Sequence, residues 1–218
     1  MIVAQIKHLF IKELKLELRN KYALGGILLY VVSTVFVSYL SFKKIIDIPT
    51  WNALFWIILL FASINGVAKS FIGETKGRLL YLYTLVSPQA VIISKILYNM
   101  ALLTVLSVLC LFVYSLFVGY LIQDLSLFLL ILFLGSLGLS SLLTMVSAIA
   151  SKSSNNFTLM AILSFPILIP LLIVVIKLSK NAIDGLELWD VNYLLILLFI
   201  NVIIITLSYI LFRYLWRD

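Results

Sequence analysis

Long runs of apolar residues, separated by short polar stretches, dominate the chain from residue 22 onward. Six runs reach or exceed the ~20 residues that an α-helix needs to cross the hydrocarbon core of a bilayer. None alternates polar and apolar residues in the way that is typical of membrane β-barrel strands. The pattern therefore predicts an all-α bundle of six transmembrane helices, at approximately Tyr22–Leu40, Trp51–Ser70, Ile92–Gly119, Leu125–Ala150, Phe157–Ile176 and Val191–Phe212.

Residues 1–21 show a different pattern, in which one apolar stripe runs along an otherwise charged segment. Apolar residues such as Ile6, Leu9 and Phe10 recur at helical spacing between lysines and glutamates. The charges recur too often for the hydrophobic region of a cleavable signal peptide, so we expect the segment in the mature protein. The segment is predicted to be an amphipathic helix that lies in the membrane interface, against lipid, ahead of the transmembrane domain of residues 22–218.

Composition agrees with a membrane location, since 64% of the 218 residues are hydrophobic and 11% are charged. A soluble domain of this composition would expose large apolar surfaces. The formal charge of +7 comes from lysines and arginines scattered at the ends of the apolar runs, which argues against nucleic-acid binding. The chain is therefore predicted to be an integral membrane protein.

The distribution of lysine and arginine predicts the orientation of the bundle. With a cytoplasmic N-terminus, twelve of these residues lie on the cytoplasmic side, and four (Lys43, Lys44, Lys177 and Lys180) lie outside. The positive-inside rule then places both termini in the cytoplasm. On the outer side, the loop from Lys177 to Asp190 is long enough to form a small extracytoplasmic element.

The longest polar interruption, residues 73–95, is predicted to face the cytoplasm. Its charged start, with Glu74 and Arg78, is followed by apolar residues at the spacing of a short surface helix. Ser87 and Pro88 are then suited to the N-cap and first position of the next helix, where the serine hydroxyl satisfies a free amide. A solvated loop is the alternative for residues 73–88.

Small residues recur at four-residue steps in the fourth span and predict a helix-packing face. This face pairs helices either within one chain or between the two chains of a homodimer. The residues are Ser136, Ser140, Thr144 and Ala148.

Two prolines one turn apart, Pro166 and Pro170, interrupt the hydrogen bonding of the fifth span. Each proline removes one backbone hydrogen bond, which predicts a kink or local unwinding near the middle of this helix. A hinge and a static kink are the two alternatives.

Side chains that carry catalytic or ion-coupling chemistry are not expected at depth in the bundle. The deepest polar groups are Asn65, Asn99 and Asn201. We expect Lys69 to lie at the membrane interface, and we expect no ionisable side chain to be buried inside the bundle. Ion-coupled transporters and intramembrane enzymes need such groups at depth. His8 is expected on the solvated surface, and no phosphate-binding Gly-x-x-x-x-Gly-Lys-Ser/Thr motif is present. The chain is therefore not expected to be an enzyme or to hold a metal or cofactor, and a separate ATPase would supply energy.

Three stretches, in matching order and spacing, carry a resemblance. They are Phe10-x-Lys-Glu-Leu-x-x-Glu-x-Arg19; residues 74–95, with an acidic-x-x-Gly-x-Leu start and Leu-Val-Ser-Pro before Ile-Ile-Ser-Lys; and Phe165-Pro-Ile-Leu-Ile-Pro-Leu-Leu-Ile173. Together they resemble the haem exporter protein B family, the CcmB permease of cytochrome c maturation.

The resemblance implies an ABC-2 type permease-like subunit of an ABC transporter in the bacterial plasma membrane. Its implied partners are a CcmA-type ATPase, CcmC, CcmD and the haem chaperone CcmE, with haem as candidate substrate. ATP hydrolysis by the partner would export haem or release haem-loaded CcmE. Coupling to the ATPase would fall on Glu74, Gly77, Arg78, Ser87 and Pro88. An ABC-2 type permease that exports a drug, lipid or polysaccharide is the alternative, since the same architecture serves that function.

Overall fold

The computed structural model of the chain describes residues 2–19, 21–42, 46–67, 69–72, 85–152, 156–185 and 191–215. These residues form helices and short connections, and no strand occurs among them. In chain order the helices are α1 (Ile2–Arg19), α2 (Lys21–Phe42), α3 (Ile48–Val67), α4 (Lys69–Ile72), α5 (Pro88–Phe117), α6 (Leu125–Ala150), α7 (Asn156–Asp184) and α8 (Val191–Leu215).

Six of these helices are long and apolar enough to cross a membrane, namely α2, α3, α5, α6, α7 and α8. The predicted number and order of spans are therefore confirmed. The fifth span is longer than predicted, because α7 continues to Asp184 where a loop from Lys177 was expected. Leu178, Ala182 and Ile183 are buried in this extension. Packing against the bundle therefore carries the helix beyond its apolar run.

The two ends of the bundle differ in chemistry. At one end, Asp124 caps α6 by accepting a hydrogen bond from the backbone N–H of Leu127 at 3.0 Å. Nearby, the Trp51 and Tyr114 rings have centroids 4.9 Å apart, and the Trp51 indole N–H donates to the carbonyl of Gly119 at 3.0 Å. We call this the Asp124 end, and the opposite end, where α1 packs against the start of α5, the α1 end.

Helix α6 forms the centre of the bundle and packs against α3, α4, α5, α7 and α8. Its stripe of small residues is 0–2% exposed and consists of Ser136, Ser140, Thr144 and Ala148. Thr144 accepts a hydrogen bond from Asn99 of α5 at 2.8 Å. The stripe thus packs helices within one chain, and a homodimer would have to use another surface.

Two glycines beside the stripe allow neighbouring helices to approach α6 closely. A Cβ atom on Gly135 would lie 3.0 Å from the Trp56 ring of α3. A Cβ atom on Gly138 would lie 2.7 Å from the Oδ1 atom of Asn201 on α8 and 2.8 Å from the Cδ1 atom of Leu171 on α7. Only glycine fits at position 138 without displacing a buried neighbour.

Pro166 and Pro170 both lie inside α7, which is helical from Asn156 to Asp184. The predicted unwinding at these prolines is not present in this conformation. Their role as a kink or hinge stays a prediction.

Helix α1 is amphipathic and packs with one face against α5. Leu9 is 8% exposed on the packed face, whereas Val3 is 79% exposed. The predicted helix is present, with its apolar stripe divided between the protein and the outer surface. Its place in the membrane interface stays a prediction.

Candidate coupling site at the α1 end

The predicted coupling segment, residues 73–88, is described only at its C-terminal end. Glu74, Gly77 and Arg78 lie outside the described residues. Ser87 and Pro88 are described, as is α4, which precedes the segment. The structure therefore defines how the chain enters and leaves this segment.

The exit from the segment is fixed by Ser87 and Pro88. Ser87 has the extended backbone of an N-cap residue, with φ −70° and ψ 142°, and Pro88 is the first residue of α5. The predicted cap by the serine hydroxyl is wrong, because no backbone N–H of α5 donates to that hydroxyl, which itself donates to the Oε1 atom of Gln5 at 3.1 Å. The amide of Ala90 instead bonds to the backbone carbonyl of Ser87 at 3.0 Å. The hydroxyl therefore connects α5 to α1.

The entry to the segment is fixed by Phe71 of α4. Its side chain is buried, and its ring centroid lies 5.3 Å from that of Phe212 on α8. Its backbone N–H donates a long hydrogen bond of 3.4 Å to the hydroxyl of Ser147 on α6. The chain is thus held by two spans immediately before it enters the coupling segment.

A buried lysine lies between the entry and the exit. Lys95 of α5 is 2% exposed, so the expectation of no buried ionisable side chain is wrong. Its Nζ atom donates to the carbonyl of Ser70 at 2.6 Å and lies 3.5 Å from the Oε1 atom of Glu13. The same atom is 4.7 Å from the centre of the Phe71 ring, within the range of a cation–π interaction. Lys95 therefore joins α5 to both α1 and α4.

Asn99, one turn further along α5, extends this cluster to α6. Its amide nitrogen donates to the hydroxyl of Ser70 at 3.1 Å and to the hydroxyl of Thr144 at 2.8 Å. Thr144 belongs to the stripe of small residues on α6. We call the resulting cluster the Lys95 junction, which consists of Glu13, Ser70, Phe71, Lys95 and Asn99.

The burial of Lys95 is tolerated because its charge is both paired and hydrogen-bonded. An isolated charge of this kind would cost several kcal/mol to bury. The partner carboxylate of Glu13 is itself only 16% exposed and also contacts Lys12 at 3.3 Å. Hydrogen bonds to charged groups contribute about 1.5–3 kcal/mol each. The junction therefore holds α1, α4, α5 and α6 together at this end.

This arrangement restrains both flanks of the segment of residues 73–88. Residues 73–84 connect α4 to the start of α5, and the contacts of Ser87, Phe71 and Lys95 restrain the chain on both sides. The contacts of these flanks thus reach α1, α5 and α6. The sequence does carry a signal for the junction, since a lysine within an apolar run is expected to have a specific partner or role.

Ligands for a metal ion do not come together in the part of the chain that the structure describes. No group of three or more histidine, cysteine, aspartate or glutamate side chains is close enough there to hold one. Cys110 is a free thiol buried in α5. Among the described residues of the α1 end, the Lys95 junction offers charge pairing and hydrogen bonding.

Comparison with protein families finds a match to the family described as CcmB protein, over residues 4–212. The matched region contains nearly all of α1, the coupling segment and the complete Lys95 junction. It also contains the six spans apart from the last residues of α8. No curated protein and no solved structure matches the chain.

Proposed function

The chain belongs to the CcmB protein family, and on this premise we propose that it is the membrane permease component of the haem exporter of cytochrome c maturation. The family match over residues 4–212 is the observation that carries this proposal. It favours cytochrome c maturation over the export of a drug, lipid or polysaccharide, which the architecture alone would also serve.

The energy for this function would come from a separate, CcmA-type ATPase. The chain has no phosphate-binding motif of its own. In the proposed complex, CcmC and CcmD are further membrane subunits. ATP hydrolysis drives haem export or the release of haem-loaded CcmE.

We place the protein in the bacterial inner membrane with both termini in the cytoplasm. Contacts of α1 with Lys95, and of Phe212 with Phe71, support chain ends on the same side of the bundle. The sequence-based distribution of lysine and arginine, twelve on the predicted N-terminal side against four on the other, supports a cytoplasmic location of the termini. The ATPase would then meet the α1 end of the bundle.

In the proposed mechanism, the ATPase docks on residues 73–88 and moves them during its cycle. Glu74 and Arg78 supply charge for docking, and Gly77 allows close approach of the backbone. Ser87 and Pro88 pass the motion into α5. The Lys95 junction supports this path, because it ties both flanks of the segment to α1 and α6.

Charge reversal in the segment tests the proposal. We expect Glu74→Lys or Arg78→Glu to leave the protein inserted and abundant but to abolish co-purification of the ATPase. Maturation of c-type cytochromes should fall to background, measured by haem staining of membrane proteins. The reason is that docking through charged side chains depends on the sign of each charge.

Lys152→Glu is the matched control, since Lys152 is exposed just beyond α6, at the same end of the bundle. This variant should keep both the ATPase and cytochrome maturation. If both reversals at 74 and 78 also keep them, the segment is a solvated turn and the coupling assignment is wrong. If no ATPase co-purifies with the wild type either, the proposed complex itself is refuted.

We also propose that the isolated chain holds no stoichiometric haem. Stable ligation needs an axial histidine, cysteine, methionine or tyrosine in a pocket. His8 is exposed on α1, and Cys110 is buried in the hydrophobic core. After incubation with haem and removal of the unbound haem by gel filtration, the purified subunit should therefore lack a Soret absorption band. A band that disappears in Cys110→Ser would contradict this prediction.

A further inference from the structure

Four of the five histidine, lysine and arginine side chains of α1 lie on one narrow stripe, and the fifth, Lys7, lies about 80° or more away from it. His8, Lys12, Lys15 and Arg19 follow one another at spacings of four, three and four residues. Successive residues of an α-helix are about 100° apart, so these four side chains fall within about 60° around the helix. We call them the basic stripe.

The acidic residues of α1 lie on another side of the helix. Glu13 approaches Lys95 of α5. Leu9 is buried on the same packed side. By helical geometry Glu17 also lies on this side, more than about 100° from the basic stripe. The outer surface of α1 therefore carries an excess of positive charge.

The predicted place of α1 in the membrane interface would put this stripe at the level of the lipid headgroups. Helix α1 ends at Arg19, and the membrane-crossing part of α2 begins at Gly25. Another edge of α1, at Val3, Lys7 and Phe10, lines a largely apolar groove of about 630 Å³ with α5 and α6. This edge is continuous with the apolar outer surface of the spans, so acyl chains would lie beside it.

The basic stripe also lines a concavity of about 570 Å³ whose surface is partly polar and partly apolar. Ile11 and Leu16 lie among the cationic side chains in its wall. A phosphate needs the cations, whereas a glycerol backbone and the first methylenes of an acyl chain need the apolar surface. The concavity thus offers the combination that a phospholipid requires at the level of its headgroup.

We propose that the basic stripe of α1 binds the headgroup of an anionic phospholipid in the leaflet that faces the α1 end. This lipid would hold α1 against the membrane surface while the neighbouring face of the helix, with Leu9 and Glu13, stays packed on α5. The proposal does not depend on the identity of the transported substrate or of the ATPase.

Native mass spectrometry of the purified full-length protein tests the proposal. The protein is equilibrated with equimolar phosphatidylglycerol and phosphatidylethanolamine, and the retained lipids are counted. We expect wild type to retain phosphatidylglycerol preferentially. In the double variant Lys15→Gln/Arg19→Gln this preference should fall by about fivefold for each charge removed. Lys12 is left in place because it also contacts Glu13.

The matched control is Lys152→Gln/Lys180→Gln, which removes two exposed positive charges elsewhere on the chain and should retain the wild-type preference. Elution and melting temperature in detergent check that both variants are folded. An unchanged lipid preference in folded Lys15→Gln/Arg19→Gln would overturn the proposal. So would loss of a co-purifying protein partner with the lipid preference intact, since the stripe would then be a protein-docking surface.

Discussion

Replacing Lys95 with methionine is expected to destabilise the α1 end of the bundle by about 2 kcal/mol and to stop cytochrome c maturation. Methionine fills most of the space but cannot donate to the carbonyl of Ser70, a charged hydrogen bond of 2.6 Å. It also removes one of the two lysines that approach the partly buried carboxylate of Glu13 and leaves Lys12 beside it. The loss should appear as a lower melting temperature of the purified protein.

A double-mutant cycle with Glu13→Gln separates the ion pair from simple loss of packing. Because Glu13→Gln removes the charge that Lys95→Met leaves behind, the double variant should lose less stability than the sum of the two single variants. Lys180→Met is the control, since Lys180 is exposed near the Asp124 end, and it should match wild type. Strict additivity of the two substitutions would show that Glu13 and Lys95 are not coupled.

Cytochrome maturation distinguishes a role in coupling from a role in stability alone. Lys95→Met should still co-purify with the ATPase, because the residues proposed for docking are unchanged. When its membrane level is matched to wild type, c-type cytochromes should nevertheless fail to mature, measured by haem staining. Normal maturation at matched level would mean that the Lys95 junction stabilises the protein without transmitting motion.

A methyl group at position 138 is expected to disturb the contacts among three spans. The Cβ atom of Gly138→Ala would lie 2.7 Å from the Oδ1 atom of Asn201 and 2.8 Å from the Cδ1 atom of Leu171. Leu171 is fully buried and Asn201 is 2% exposed, so neither side chain has open space to move into. Overpacking of this kind costs about 1–3 kcal/mol. Thermal unfolding in detergent should show a clear fall in melting temperature.

Gly25→Ala provides the control, because Gly25 also lies in a span but a Cβ atom added there would meet no neighbouring group within 4 Å. Alanine is the better helix former by about 1 kcal/mol, so this variant should be as stable as wild type or more stable. A Gly138→Ala protein with the same melting temperature as Gly25→Ala would show that α7 or α8 shifts easily away from α6.

The sequence predicted the elements whose causes are local. Six runs of apolar residues led to six spans, and Ser87 with Pro88 marked the start of α5, because span length and proline geometry depend on neighbouring residues alone. The spacing of Ser136, Ser140, Thr144 and Ala148 likewise placed four small residues on one face of α6. The sequence also carried the resemblance to the CcmB family, which the family match confirms.

Three features differed from expectation because they depend on residues that are distant in sequence. Lys95 is buried because Glu13, 82 residues away, and Ser70 neutralise and bond its ammonium group. The Ser87 hydroxyl bonds to Gln5, also 82 residues away, rather than capping its own helix. Helix α7 continues to Asp184 because the bundle buries Ile183 and its neighbours.

Hydropathy and helix propensity are properties of a short window, so the sequence by itself determined the class of protein, the number of spans and the amphipathic character of α1. Whether a polar side chain meets water, lipid or a partner depends on which helices pack together. Only the tertiary structure could therefore bring Glu13, Ser70 and Lys95 into one junction. For the same reason, the structure alone decided that the small residues of α6 face other helices of the same chain.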